Sequence, residues 1–303
     1  MSQALPVIRV GDPICHEALA VFPLFTEPSQ GVEYCLSDTA LTEKNLLVEE
    51  ISKSGSVPEL LVENKGDLHV LFIEGEELIG AKQNRILNTS VLVAPHSKIN
   101  IPVSCVERGR WNLQSRYFGS SGSHSPTKLR RALKKSVSKS VKERKQHSSD
   151  QGEVWKEVEG LLASHATPSK TEALFDAFYG HKEQIKSYQE RIKYVDGATG
   201  FAVATGDKVV AVDVFDKPST CQKVWTRLLS GVVFDALESG KTAQRPCVNQ
   251  VAQLIADVAG LRWVECSAIG EGEEFRAEST QGDHASALAY EEIVLHGSIV
   301  AAA

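Results

Sequence analysis

The stretch 68–111 constrains the fold most, because short apolar runs within it alternate with dense polar clusters. The run over 68–73 is rich in Val, Leu, Phe and Ile and is typical of a strand buried on both faces. A second strand is predicted over 86–93, and apolar side chains at every second position of 99–105 predict a third. Three consecutive strands with short connections usually form an antiparallel meander, so the first and third should run in the same direction.

Two polar clusters follow the first and third predicted strands, and a meander would place both at the same end of the sheet. Acids, amides and arginines that follow buried strands favour a structured polar pocket over solvated connections, which are the ordinary alternative. The candidate pocket residues are Glu74, Glu76, Glu77, Lys82, Gln83, Asn84 and Arg85 from the first cluster, and Glu107, Arg110 and Trp111 from the second.

Two strings in this stretch, EGEELIGAKQNRILN (74–88) and IPVSCVERGRW (101–111), are specific enough to carry a family resemblance. They resemble the signature of the ARG and rhodanese-phosphatase-superfamily-associated protein domain, in which ARG stands for ADP-ribosylglycohydrolase. A weaker resemblance extends through 150–155, 213–218 and the carboxyl-terminal region, and so covers most of the chain. The resemblance implies an association with enzymes that process NAD-derived ADP-ribose and with phosphatases, and it carries no established mechanism.

An ADP-ribose-like nucleotide would be bound or hydrolysed at this pocket by groups of two kinds. The predicted substrate-binding residues are Lys82, Gln83, Asn84, Arg85, Arg110 and Trp111, of which the cations suit phosphate and the indole suits base stacking. The predicted catalytic residues are Glu74, Glu76, Glu77 and Glu107, whose carboxylates could act as general acid and base or bind Mg²⁺. Their spacing does not distinguish these roles, so a hydrolase and a simple binding protein both stay open.

Composition excludes several classes of protein. The formal net charge of −6 argues against a surface that binds nucleic acid or anionic membrane over its whole area. No apolar run approaches the roughly 20 residues that span a bilayer, and the amino-terminal sequence lacks the features of a signal peptide, so we expect a cytoplasmic protein. The six cysteines include no C-x-x-C pair, which argues against a disulfide framework and a structural zinc site.

A helical insert is predicted over 126–195, after a Gly/Ser-rich segment, 112–126, that predicts an irregular loop. Leucine and valine recur every fourth residue over 129–141, which predicts a helix with one apolar stripe. The remaining surface of that helix is strongly basic. This charge supports an alternative function, in which the chain is a noncatalytic scaffold whose basic helix binds a protein or nucleic-acid partner.

The order of elements predicts an α+β fold, with a largely antiparallel β-sheet core, the inserted helical segment and additional packing helices. Two strands that flank Gly206 and Asp207 have the pattern of a tight β-hairpin. Apolar residues at helical spacing over 222–237 and 248–258 predict two core helices. We expect residues 1–303 to form a single α+β domain that contains the insert.

Overall fold

A computed structural model describes residues 5–27, 29, 32–52, 55, 58–239 and 246–302. Largely antiparallel sheets and seven helices make up these residues, which confirms the predicted α+β class. The strands are β1 (Arg9–Val10), β2 (Ile14–His16), β3 (Leu19–Phe25), β4 (Tyr34–Leu36), β5 (Leu46–Glu50), β6 (Glu59–Asn64), β7 (His69–Phe72), β8 (Glu76–Gly80), β9 (Arg85–Leu87), β10 (Val91–Val93), β11 (Ser97–Cys105), β12 (Phe118–His124), β13 (Gly200–Thr205), β14 (Lys208–Phe215), β15 (Val264–Ser267), β16 (Glu273–Glu278), β17 (His284–Tyr290) and β18 (Ile293–Val300). The helices are α1 (Ser37–Thr42), α2 (Thr127–Arg144), α3 (Gln151–Ser164), α4 (Leu174–Gly180), α5 (Lys182–Arg191), α6 (Pro218–Ser239) and α7 (Val248–Ala259).

The contacts divide the chain into two compact units, of which the first comprises Met1–Gly31, Glu183–Ser267 and Gly272–Ala303. Its nine-stranded sheet has the order β1-β3-β13-β14-β18-β17-β16-β15, with β2 paired to β3, and all its pairs are antiparallel. The hairpin predicted around Gly206 joins β13 and β14, and both predicted core helices lie within α6 and α7. Apolar side chains of α7 pack with those of β3, β13 and β14 in the core of this unit.

The second unit comprises Val32–Lys182 and Ala268–Glu271 and contains every candidate pocket residue. A six-stranded antiparallel sheet has the order β12-β8-β9-β11-β6-β5, and a three-stranded sheet has the order β10-β7-β4. In the smaller sheet β4 and β7 are parallel. Valine and leucine side chains from strands of both sheets form one core, and α1 contributes Ala40 to it.

The predicted three-stranded meander over 68–105 is wrong, because five strands in two different sheets occupy this stretch. The first predicted strand is β7, but the polar connection expected after it contains β8, because Gly75 takes a left-handed conformation (φ 80°) and turns the chain into that strand. A Cβ at Gly75 would lie 2.5 Å from Oγ of Ser125, so only glycine fits this turn. The second predicted strand is split into β9 and β10 around Asn88, whose side chain donates a hydrogen bond to the carbonyl of His147 at 2.8 Å.

The predicted irregular loop over 112–126 is also corrected, since Phe118–His124 is strand β12 and pairs with β8. Small polar side chains hide this strand from sequence patterns, whereas its backbone pairs with β8 at Phe118–Ser120 and again at His124, across an irregularity in the register. The region 126–195, which is predicted to be a helical insert, contains the four helices α2 to α5. The single domain over 1–303 stays a prediction. In the part of the chain that the structure describes, no helix is both long and apolar enough to cross a membrane.

Candidate functional site

The pairing of β9 with β11 sets Arg85 opposite Cys105 and brings the residues before β9 to those after β11. The amide N–H of Val106 donates to the carbonyl of Asn84 at 3.1 Å, which continues the contact beyond the ladder. Part of the first polar cluster and the whole second cluster are therefore neighbours, although the predicted meander does not cause this.

A buried ion pair between Glu107 and Arg110 forms the centre of the site. Nε and Nη2 of Arg110 donate to Oε1 and Oε2 of Glu107 at 2.8 and 2.6 Å. The backbone N–H of Asn84 and the hydroxyl of Thr171 donate to the same carboxylate at 3.0 and 2.9 Å. Burial by itself would raise the pKa of the Glu107 carboxyl, but these donors outweigh it and hold that pKa below its usual range.

The remaining donors of Arg110 are also used within the protein. Nη1 donates to the carbonyls of Ala81 and Asn112 at 2.7 and 3.3 Å, and Nη2 donates to the carbonyl of Gly80 and to Oδ1 of Asn84 at 3.2 and 3.1 Å. The guanidinium thus holds the connection between β8 and β9 to the segment after β11. This arrangement gives Arg110 and Glu107 a supporting role in the site, with their polar atoms committed to each other and to the backbone.

Gln83 links the ion pair to a buried arginine. Its Nε2 donates to the carbonyl of Glu107 at 2.9 Å, and its Oε1 accepts from Nη1 of Arg85 at 3.0 Å and from the Cys105 thiol at 3.2 Å. Oε1 of Glu50 lies 3.8 Å from Nη2 of Arg85. Burial is the main reason why the pKa of the Arg85 guanidinium is lowered and that of the Cys105 thiol is raised.

Trp111 is the most exposed of the candidate residues, with 47% of its surface accessible. Its ring lies 5.7 Å from Cζ of Arg85 and 5.2 Å from Nζ of Lys82, so both cations contact the indole. These distances fit cation–π interactions. Trp111 therefore covers the buried Arg85 and contacts Lys82, while its own outer surface remains accessible.

Glu74 lies in a separate buried cluster with the basic helix α2. Nζ of Lys134 contacts its two carboxylate oxygens at 2.7 and 2.9 Å, and Nη2 of Arg130 lies 3.6 Å away. Arg130 and Lys134 are themselves buried, so part of the basic charge of α2 faces inward. The signal in the sequence is their i, i+4 spacing directly beside the apolar stripe of Leu129 and Leu133.

Glu76 closes the turn at the start of β8. Its Oε1 accepts the backbone N–H of Ile73 at 2.9 Å, and its Oε2 accepts the hydroxyl of Ser37. These bonds hold β7, β8 and the start of α1 together. The structure therefore gives Glu74 and Glu76 local partners that differ from those of Glu107 and Arg110.

Glu77 has the most unusual environment of the four glutamates. Its side chain is buried, and within the described residues neither carboxyl oxygen makes a hydrogen bond of normal geometry. Burial raises the pKa of Glu77 to about 8; the nearby Ser121 hydroxyl opposes the shift, and the carboxylates of Glu107 and Asp176 add to it. Burial thus favours the neutral acid form of Glu77 near pH 7.

A cavity of about 560 Å³ lies beside the Glu107–Arg110 pair. Its lining includes that pair, Asn84 and residues of the segment 167–180, which contains α4. The amide N–H of Leu174 donates to the carbonyl of Val106 at 2.9 Å and fixes the start of α4 beside the site. This volume is within the range of about 300–1,000 Å³ that small-molecule sites occupy.

An aromatic pair on α4 borders this cavity and was not predicted from the sequence. The rings of Phe175 and Tyr179 stack with centroids 6.5 Å apart, and 66% of the Tyr179 surface is accessible. Asp176 lies between them in sequence and accepts the hydroxyl of Ser169 at 2.6 Å. Aromatic residues at i and i+4 usually mark the core face of a helix, which is why this pair is difficult to distinguish by pattern alone.

The predicted catalytic glutamates do not provide a set of ligands suited to Mg²⁺. Glu74 is neutralised by Lys134 and Arg130, and the carboxylate of Glu107 already accepts four hydrogen bonds. Across the described ranges, no group of three or more His, Cys, Asp or Glu residues is arranged to hold a metal ion.

Comparison with known proteins supports the resemblance seen in the two sequence strings. The profile of the ARG and Rhodanese-Phosphatase-superfamily-associated Protein domain matches residues 7–300. None of the curated proteins and none of the solved structures compared with the chain matches it. Because the profile spans nearly the whole sequence, the chain belongs to the ARG and Rhodanese-Phosphatase-superfamily-associated Protein domain family.

Proposed function

We propose that the chain binds an ADP-ribose-like nucleotide in the cavity between the Glu107–Arg110 pair and helix α4. The observation that carries this proposal is the accessible ring of Tyr179 at a cavity that the polar side chains of Asn84, Lys170 and Asp176 also line. A ring that is two-thirds exposed contributes little to a core and offers a stacking surface to a planar ligand. The association of the family with ADP-ribosylglycohydrolases supports a nucleotide derived from NAD as that ligand.

The lining residues match the parts of such a nucleotide. Tyr179 provides exposed ring surface for the adenine beside its contacts with Phe175 and with Nζ of Lys182, which lies 5.2 Å from the ring centroid. Lys170 provides a cation for the pyrophosphate. The carboxylate of Asp176, which accepts one hydrogen bond from Ser169, has acceptor capacity for ribose hydroxyls. Arg110 contributes indirectly, because its donors hold the wall of the cavity in place.

Hydrolysis of a glycosidic or phosphate linkage in the bound nucleotide is the reaction class that this site would support. A contrast between two carboxyl groups supports this class, since the pKa of Glu77 is raised and that of Glu107 is lowered, although only Glu107 of the two lines the cavity. Carboxyl groups with separated pKa values are typical of acid and base pairs in hydrolases. However, the four hydrogen bonds accepted by Glu107 favour a supporting role for that residue, so binding is the primary proposal.

Thermal-shift measurements with ADP-ribose, NAD and AMP, each with and without Mg²⁺ or Mn²⁺, test this function. A ligand that binds only the folded state raises the melting temperature by mass action. We expect ADP-ribose to raise it for the wild type and the effect to be lost in Tyr179→Ala and Asp176→Asn. Analysis of the same mixtures for released products tests hydrolysis.

Two control variants make this test specific. Glu172→Gln removes a carboxylate from the same segment, where Glu172 is exposed and lies 3.8 Å from Arg108. Tyr117→Ala removes a tyrosine that contacts Arg116 and does not line the cavity. Both should respond to ADP-ribose as the wild type does. If no nucleotide shifts the wild type in any of these conditions, nucleotide binding is the wrong function for this chain.

A noncatalytic interaction module is the second candidate, because lysines at 135, 139 and 142 make the outer face of α2 exposed and basic. Charge reversal in Lys135→Glu with Lys139→Glu should abolish the binding of an acidic partner without changing nucleotide binding. Lys134 is unsuitable for this test, since it is buried against Glu74. Retention of all cellular function by the charge-reversal variant would exclude this candidate.

A further inference from the structure

We propose that Asn84 determines the specificity of this site, because its side-chain amide donates a hydrogen bond to an oxygen in the terminal sugar of the bound nucleotide. The inference rests on the proposed nucleotide binding and names the part of the ligand that the site recognises. It starts from position, since Asn84 lines the cavity although only 7% of its surface is exposed.

The hydrogen bonds of Asn84 fix the orientation of its amide group. Oδ1 accepts the backbone N–H of Gly80 at 3.2 Å and Nη2 of Arg110 at 3.1 Å. Flipping the amide would place its NH₂ group against these two donors, so Oδ1 and Nδ2 do not exchange places. The backbone of Asn84 is fixed as well, because its N–H donates to Oε2 of Glu107 at 3.0 Å and its carbonyl accepts the N–H of Val106 at 3.1 Å.

Nδ2 is the polar atom of Asn84 that these contacts do not use. It donates to none of the residues that the structure describes, and it is not one of their fully enclosed polar atoms. Because Asn84 lines the cavity, this NH₂ group is available to a ligand there. An amide NH₂ donates and does not accept, so it favours a hydroxyl, carbonyl or phosphate oxygen over an ammonium group. The buried pair of Glu107 and Arg110 thus holds a hydrogen-bond donor in place for the ligand.

Helix α4 gives the position of Asn84 relative to the surface that takes the adenine. The N–H of Leu174, at the start of α4, bonds to the carbonyl of Val106, and the N–H of Val106 bonds to the carbonyl of Asn84. Tyr179 lies near the other end of the helix, roughly 7.5 Å further along its axis from the helical rise. A nucleotide whose adenine stacks on Tyr179 would therefore reach Asn84 with its opposite end. In ADP-ribose that end is the second ribose, whose oxygens accept hydrogen bonds.

Calorimetric titration with ADP-ribose and with the β-methyl ester of ADP tests the assignment, because the ester has the same charge and a methyl group in place of the terminal ribose. The wild type should bind ADP-ribose about tenfold more tightly than the ester, as expected for one hydrogen bond. Asn84→Asp keeps an acceptor for Gly80 and Arg110 and lacks the donor, and Asn84→Ala lacks the donor without adding charge. Both variants should bind the two nucleotides with similar affinity. Asn100→Asp is the matched control, since it adds the same charge at an exposed amide of β11 that donates to Glu59 at 3.4 Å, and it should keep the wild-type preference.

The outcomes separate this inference from the proposed function. If Asn84→Asp and Asn84→Ala keep the wild-type preference for ADP-ribose, the role of Asn84 is overturned while nucleotide binding stands. Equal binding of ADP-ribose and the methyl ester by the wild type overturns it as well, because the terminal ribose is then not recognised. If the wild type binds neither nucleotide, the proposed function fails and the role of Asn84 fails with it. Melting temperatures of the variants without ligand show that each is folded.

Discussion

Glu107 and Glu77 are both buried in the second unit, and their environments are opposite. Glu107 accepts four hydrogen bonds, two of them from Arg110, and its pKa lies below the usual range. Glu77 has no ion-pair partner among the described residues, and burial is the largest cause of its raised pKa. Burial alone therefore does not decide the charge of a carboxyl group, because the donors around it can reverse the sign of the shift. A buried carboxylate with enough donors keeps its charge, whereas burial without such donors favours the neutral acid.

The largest expected effect is the loss of the partner of Glu107. Arg110→Ala should lower the free energy of unfolding by about 3–5 kcal/mol, because it leaves a buried carboxylate without its counterion. Urea unfolding at pH 7 measures this. Arg116→Ala is the matched control: its side chain is 75% exposed and lies 3.7 Å from Glu49, so its loss should cost less than about 1 kcal/mol. Equal effects of the two variants would show that the Glu107–Arg110 pair is not a structural centre.

The second prediction concerns the proton on Glu77. The folded protein keeps this proton up to a pH of about 8, whereas the unfolded chain loses it near the ordinary pKa of 4.5. Between these values the folded state binds more protons, so the free energy of unfolding should fall by about 1.4 kcal/mol per pH unit as the pH rises. Above pH 8 this contribution should level off.

Urea unfolding of the wild type and Glu77→Gln at pH 5, 6.5 and 8 isolates this contribution, because other titrating groups are common to both proteins. The stability of Glu77→Gln relative to the wild type should increase with pH over this range. A constant difference between the two proteins would mean that Glu77 is ionised in the folded state, and the contrast with Glu107 would disappear.

Sequence patterns predict the elements in which apolar residues recur at a regular spacing or turn residues have a known pattern. The apolar stripe of α2, the hairpin at Gly206 and the α+β class follow from spacings of about four and two residues and from turn chemistry. They do not predict the turn at Gly75 or strand β12, because the first depends on close contact with Ser125 and the second has small polar side chains.

The candidate site was predictable only for residues that lie within the two sequence strings, and not for those whose position depends on tertiary packing. The two sequence strings locate Gln83, Asn84, Glu107 and Arg110, which are hydrogen-bonded together in the structure. They do not reveal that Lys134 faces Glu74, since the direction of a lysine on a basic helix depends on tertiary packing. The spacing of residues in α4 likewise does not predict that Tyr179 is exposed beside a cavity.

The third prediction applies one substitution to both carboxyl groups. At pH 5 the ionisation of Glu77 contributes little to the free energy of unfolding. Glu77→Leu should then stabilise the protein by about 1–3 kcal/mol, because it removes a buried polar group without a partner. Glu107→Leu should destabilise it, since Arg110 would then be buried without its carboxylate. Urea unfolding of both variants shows whether each substitution raises or lowers the free energy of unfolding. Destabilisation of similar size in both would indicate that Glu77 has a stabilising partner in solution.

The smallest expected effect concerns one of the four hydrogen bonds to Glu107. Thr171→Val keeps the shape of the side chain and removes the hydroxyl that donates to Oε1 of Glu107 at 2.9 Å. It should therefore lower the free energy of unfolding by about 1.5 kcal/mol or slightly more. Because that donor also lowers the pKa of Glu107, its removal should raise this pKa. In the wild type the depressed pKa contributes stability that is present above the unfolded pKa and is lost as the pH falls through the folded pKa. The cost of Thr171→Val should therefore shrink at acid pH.

Unfolding measurements at pH 7 and at acid pH on Thr171→Val and on Thr167→Val check this prediction. Thr167 lines the same cavity, and its hydroxyl bonds to the carbonyl of His165 at 3.4 Å rather than to Glu107. A loss that depends on pH in Thr171→Val alone would show that the donors around Glu107 set its charge one by one. An equal, pH-independent loss in both variants would mean that Arg110 alone determines the state of Glu107, and the difference from Glu77 would then rest on a single ion pair.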